Sequence, residues 1–190
     1  FSKPAQEGFR AFAAANYPEL ADATVPSLAE REAGKDLLWN PRQNLKAVAY
    51  MEYYSRAVAD CALELCGHAK EALGGRKIVG TYYGYTMYLN ASGCDQMRAH
   101  FALGHLLREN GGRIDYLMSP QCYGWRRLGD SCLEMKPFAS LAANGILSVI
   151  EDDTRTHARP EPVCSRYFQG AITERQSVAM MRRNLAIALC

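Results

Sequence analysis

Apolar residues recur at helical spacing in some stretches of the chain and condense into short β-rich runs in others. An opening helix is expected from about Pro4 to Asn16, with Phe9, Phe12 and Ala13 on one face and Pro18 as its stop. Residues 17–39 carry no clear period and read as a long excursion. Asn40, Pro41 and Gln43 then spell an N-cap, a first-turn proline and a capping box. Leu45, Val48, Met51, Ser55, Val58, Ala62, Leu65, Ala69 and Leu73 follow at helical spacing up to Gly74-Gly75, which predicts one long helix. Beyond it the chain alternates. "KIVGTYYGY" from Lys77 is a strand, Cys94 to Asn110 a helix, and "RIDYLMSP" (113–120) a second strand followed by a loop through Tyr123 and Trp125. Pro137 to Asn144 is a short helix and "ILSVIE" from Ile146 a third strand. Thr173 and Gln176 box the start of a last helix with Val178, Met181, Leu185 and Leu189 on one face.

Strand and helix in strict alternation argue for parallel βαβ units. Strand starts at Lys77, Arg113 and Ile146 lie 36 and 33 residues apart, close to the roughly 31 per unit of a (β/α)₈ barrel. Three strands cannot close a barrel. With no initiator Met and a C-terminus inside a helical pattern, the chain reads as a piece of a longer one, and its localisation stays open.

Composition adds exclusions. The 22 basic and 20 acidic residues nearly cancel, so no bulk field points to nucleic acid, and no apolar run approaches the roughly 20 residues of a membrane span. Seven cysteines occur without C-x-x-C pairs, and Cys61 and Cys66 read as small core residues. Cys66-Gly67-His68 and the His100/His105 pair lack zinc-ligand spacing, and "GGRKIVGTYYG" is no phosphate loop, so no metal or cofactor is called for. Arg182-Arg183 read as the solvated face of the last helix.

Candidate chemistry collects where the strands end: "TYYGY", "SPQCYGWR" and "EDDTR". In parallel α/β folds this is the functional edge. Alternation along the third strand puts Leu147, Val149 and Glu151 on one side and Ser148 and Ile150 on the other, which singles out Glu151 over Asp152. A positioned carboxylate there can serve as nucleophile or base; alternatively Glu151 to Asp153 form a solvated acidic turn with Arg155 as surface partner. Tyr82, Tyr83, Tyr85, Tyr123 and Trp125 can stack on sugar C–H faces or simply pack.

"FRAFAAANYPEL", "YYGY", "IDYLMSPQCYGWRRLGD", "GILSVIEDDTRTH" and "TERQSVAMMRRNLAIAL", taken together and in this order, resemble the later part of the catalytic barrel in glycoside hydrolase family 42, in its bacterial β-galactosidase-like branch. The resemblance implies a partial (β/α)₈ TIM barrel: residues 1–190 form one incomplete catalytic-barrel fragment. Residues 1–76 would be the helical and loop segment after the fourth strand, and 77–190 the βα units of strands five to seven. It implies a retaining mechanism on a carbohydrate substrate, with Glu151 as nucleophile and the acid/base Glu upstream of Phe1, so that this chain by itself is inactive. Tyr83, Tyr85, Tyr123 and Arg126 become candidate sugar contacts, and Asp153 and Arg155 the charge-tuning neighbours of Glu151. Ile146 stands where relatives carry Lys, a change expected to touch only packing. Homo-oligomerisation of the full-length protein stays open. A non-catalytic carbohydrate-binding or scaffolding protein is the competing reading, and an open-sheet enzyme using Asp153 and His157 in acid/base work is a third.

Overall fold

The computed structural model describes residues 1–32, 40–87, 99–158 and 173–189. The chain is mixed α/β: a three-stranded parallel sheet in the order β1 (Gly80–Tyr82), β2 (Tyr116–Pro120), β3 (Leu147–Glu151), with helices packed on one of its faces. The helices are α1 (Lys3–Asn16), α2 (Leu28–Glu32), α3 (Pro41–Ala72), α4 (Leu103–Glu109), α5 (Phe138–Ala143) and α6 (Glu174–Leu189). Parallel strands joined through helices are what the alternating pattern predicts. Of the helix expected from Cys94 to Asn110, residues up to 98 lie outside the described residues, as does the end of the excursion (33–39); residues 99–102 form turns, and the helix begins only at Leu103. Within the rest of that excursion the chain forms a 3₁₀ turn, Pro18–Leu20, and α2. Among the described residues no helix is long and apolar enough to cross a membrane.

The helix boundaries follow from local chemistry. Asn40 caps α3 by accepting from the Arg42 N–H at 3.0 Å, and Gly74 and Gly75 leave it in left-handed conformations, φ +58° and +68°. At α6 the box is reciprocal: Gln176 N–H donates to Thr173 Oγ1 (3.3 Å) and Thr173 N–H to Gln176 Oε1 (3.1 Å).

Two cores share α3. Its first half packs on α1 through Phe9, Ala13, Ala49 and Tyr50, with the Phe9 and Tyr50 rings edge-on at 5.4 Å. Its second half contributes Ala59, Leu63 and Cys66 to a layer with Leu103, Leu106, Leu117, Leu141, Ile146 and Tyr83, beneath the sheet. The Tyr83 hydroxyl donates to the Ser55 carbonyl of α3 at 3.1 Å.

The register of the strands is pinned at their N-terminal ends by Asp115. Its backbone N–H donates to the Val79 carbonyl, its Oδ2 accepts from the Val79 N–H and its Oδ1 pairs with Lys70 of α3, each at 2.7 Å. Its carbonyl accepts from the Leu147 N–H at 2.9 Å. Hydrogen bonding from Lys70 and from Val79 holds the Asp115 carboxyl below the usual carboxylate range.

Three expectations fail, each for a stated reason. Helix α6 buries Ser177, Met180 and Asn184, while Val178, Met181, Leu185 and Leu189 are exposed. Polar groups of the chain after β3 decide its orientation: Asn184 Nδ2 donates to both Asp152 oxygens (3.0 and 3.1 Å) and to Thr154 Oγ1 (2.8 Å). Arg182 is exposed as expected, but Arg183 is half-buried and tied down, its Nη1 donating to the Arg127 and Asp130 carbonyls at 2.6 and 3.1 Å. Cys61 is exposed, because the buried stripe of α3 runs through Ala59, Leu63 and Cys66 instead.

Two substitutions test this frame. A Cβ on Gly80 would sit 2.2 Å from the Tyr116 carbonyl and 2.6 Å from its ring, so Gly80→Ala is expected to lower unfolding free energy by about 1–3 kcal/mol. Asp115→Ala strips Val79 N–H and Lys70 of their acceptor and is expected to cost about 2–3 kcal/mol. Urea denaturation followed by circular dichroism measures both.

Candidate functional site

Because Tyr82 pairs with Met118 and Met118 with Val149, the side chains of Tyr82, Met118 and Val149 share one face of the sheet. Glu151, opposite Pro120 and one pleat beyond Val149, belongs to that face. Among the described residues no helix covers this face: Tyr82 is 48% and Leu147 58% exposed, whereas Leu117 and Tyr83 on the other side are buried. The strand ends therefore bring Tyr82 and Glu151 to the same rim, where the Glu151 carboxylate is near enough to act on the Tyr82 phenol. Burial and that carboxylate together raise the Tyr82 phenol above its ordinary value.

Two residues beyond Glu151, Asp153 is ion-paired with the buried guanidinium of Arg126. Arg126 is 5% exposed, donates through Nε and Nη2 to the Gln121 carbonyl, and lies 4.1 Å from the centre of the Tyr123 ring. With its donors committed in this way, it positions Asp153 and Tyr123 and is not presented to a ligand. Arg155 approaches the same carboxylate from the solvent side, Nη1 lying 2.9 Å from the Asp153 carbonyl and 4.0 Å from Oδ2. Asp152 turns the other way, towards Asn184 of α6.

The tyrosines divide. Tyr83 is in the core, 1% exposed, and stands apart from the rim. Tyr85 packs with Cys122, Tyr123 and Met135, and its ring stacks on His100 at 4.2 Å and 9°. Burial raises the Tyr85 phenol, with Tyr82, Glu151 and Tyr123 near enough to add to the shift. Trp125, on the 3₁₀ turn Tyr123–Trp125, is half-exposed. His157 lies against α6, its N–H and Nδ1 at 3.0 and 2.9 Å from Ser177 Oγ. That contact takes it away from any acid/base partnership with Asp153. His100 accepts from the Gly84 N–H at 3.2 Å, and His105 pairs with Asp60 of α3 at 2.6 Å. Among the described residues no group of three His, Cys, Asp or Glu side chains could hold a metal ion.

Sequence reasoning passed over Lys136, which is 1% exposed. Its Nζ donates to Ser119 Oγ (2.7 Å) and to the Val149 carbonyl (3.0 Å), with Glu134 Oε2 at 3.6 Å. Burial pulls its ammonium below the ordinary lysine range, against the pull of Glu134. Glu151 is thus bracketed. Lys136 holds the residue two before it and Arg126 the residue two after, and both cations come from the single connection between β2 and α5. A lysine flanked by Met135, Pro137 and Phe138 was the available signal.

The arrangement offers one rim carboxylate beside phenol hydroxyls, with aromatic surface alongside. His100 gives it a measurable pH signature. Burial lowers the imidazole from about 6.5 to about 4, so the folded protein keeps it neutral where the unfolded chain protonates it. Its contribution is complete above about pH 6.5 and is lost as pH falls through the folded value. Unfolding free energy is expected to drop by on the order of 1–3 kcal/mol between pH 6.5 and 4, and His100→Gln to flatten that slope in paired denaturant titrations. In comparisons with known proteins, no family model, curated protein or solved structure matches the chain.

Proposed function

We propose that this chain is the later part of the catalytic (β/α)₈ barrel of a retaining glycoside hydrolase acting on β-galactosides. In this reading β1, β2 and β3 are barrel strands five, six and seven, and Glu151 is the nucleophile. One observation carries it: Glu151 ends a parallel strand on the sheet face that no described helix covers, at a rim shared with Tyr82. Parallel sheets are ordinarily covered on both faces, and the inward face of a barrel is the natural cover for one lined by Tyr82, Met118, Leu147 and Val149. The sequence resemblance supports the same assignment and puts the acid/base carboxyl outside residues 1–190, since Asp153 is committed to Arg126.

Retention divides the reaction into two displacements at the anomeric carbon, with the second carboxyl about 5–5.5 Å from the nucleophile. Glu151 attacks; Tyr85 and Tyr123 line the rim; Arg126 and Arg155 hold the segment that follows the nucleophile in place.

The test uses a substrate that needs no proton donor. Fluoride leaves 2-deoxy-2-fluoro-β-galactosyl fluoride unassisted, so a competent nucleophile is expected to become covalently glycosylated. Mass spectrometry should place the label on Glu151, and Glu151→Gln should abolish it with the fold intact. A label on another residue, or none, overturns the assignment. Galactose binding without labelling would instead leave the non-catalytic carbohydrate-binding reading, which the half-exposed rings of Tyr82 and Trp125 favour.

A further inference from the structure

The buried cation under β3 stands on the far side of the sheet from the rim carboxylate. Leu117 pairs with Ser148 and Ser119 with Ile150, so Ser119 and Ser148 face the helix-covered side, opposite Glu151. Both hydroxyls are taken up by one cluster. Ser119 Oγ accepts from Lys136 Nζ at 2.7 Å, and Ser148 Oγ donates to Glu134 Oε2 at 3.2 Å, the same oxygen that lies 3.6 Å from Lys136 Nζ. Lys136 is 1% exposed, and its ammonium also donates to the Val149 carbonyl at 3.0 Å. A charge so far from water needs fixed partners, and these come from β2, from β3 and from the connection into α5. We propose, on the reading of Glu151 as a glycosidase nucleophile, that Lys136 is a positioning residue. It fixes the direction of Glu151 from beneath the sheet, through the Val149 carbonyl, with Glu134 as its counter-ion.

The Val149 carbonyl belongs to the peptide two links before Glu151, and the plane of that peptide governs where the strand end points. A charge-assisted hydrogen bond to it resists the rotation that would swing the carboxylate along the rim. A displacement of about 1 Å at a reacting atom costs on the order of 10²-fold in rate. Lys136 makes no contact with a sugar on the other side of the sheet, so binding does not depend on it. Glu134 is the charged group that acts on Lys136, since Ser119, Ser148 and the Val149 carbonyl are neutral. Burial pulls the ammonium below the ordinary lysine range and Glu134 raises it again, which keeps it protonated to higher pH.

Labelling by 2-deoxy-2-fluoro-β-galactosyl fluoride reports attack alone. A Glu151 oxygen bonds to the anomeric carbon, and fluoride leaves with the electron pair of the broken C–F bond. Lys136→Met, apolar and of similar length, is expected to lower the labelling rate constant about 10²-fold while the half-saturating concentration holds. A merely structural role would reduce the fraction of protein labelled and leave the rate constant of the remainder. That result, or an unchanged rate, overturns the proposal and leaves the glycosidase reading standing. Glu134→Gln keeps the lysine and tests the same point where Lys136→Met does not fold. Its labelling rate is expected to decline as pH rises, at a pH about one below the wild type's decline, because Lys136 gives up its proton sooner. Superimposable profiles overturn the proposal. Hydrogen exchange needs no labelling: residues 147–153 are expected to exchange about tenfold faster in Lys136→Met, with α1 unchanged. Equal exchange overturns the anchor. Wild-type protein that takes no label ends the glycosidase reading and the part of Lys136 in catalysis together.

Discussion

The position of every side chain on the rim depends on Asp115, at the opposite end of the sheet. One residue there engages Val79, Leu147 and Lys70, which belong to the approaches to β1 and β3 and to the end of α3. Strands have period two, so a slip of one residue would send Glu151 to the helix-covered face and bring Ile150 to the rim. The short strands, three residues in β1 and five in β2 and β3, supply few ladder hydrogen bonds of their own to prevent that. A charged clamp that reads backbone groups on both neighbours supplies the missing specificity. It does so far enough from the rim to leave that edge free for chemistry.

Above the clamp, polar contacts repeatedly settle what apolar burial leaves undecided. Helix α6 illustrates this: its apolar stripe is a sound amphipathic signal, yet the helix turns Ser177 and Asn184 inward. Buried hydrogen-bonding groups must be matched, and the acidic segment after β3 presents Asp152, Thr154 and the His157 N–H as a set of partners. An isolated helix carries no record of such partners. This is also why Lys136 escaped notice, since its significance lies in the Val149 carbonyl it meets and not in its own sequence neighbourhood.

What the sequence made legible was local. Caps at Asn40 and Thr173, glycine stops at Gly74 and Gly145, and the alternation of strand and helix all act over a few residues and could be read directly. The side of β3 that carries Glu151 followed from period two alone. Side-chain commitments across the fold were not legible. Arg126 looked like a ligand contact because arginine beside aromatics often is one; only the fold shows its donors taken up by Gln121 and Asp153. Tyr83 and Tyr82 are neighbours of the same type, and which belongs to the core depends on which face of β1 the helices cover.

The grip of Arg183 on the loop between Trp125 and Cys132 has a consequence of its own. The guanidinium takes the backbone carbonyls of Arg127 and Asp130. It fixes the path of the loop and is indifferent to its spelling. Arg127 and Leu128 can therefore vary more freely than Gly129, held at φ +86°, and Asp130, whose Oδ2 accepts from the Arg127 N–H, while Arg126, at the buried base of the loop, stays aimed at Asp153. A family built on this scaffold could vary what surrounds the rim without disturbing the carboxylate at its centre.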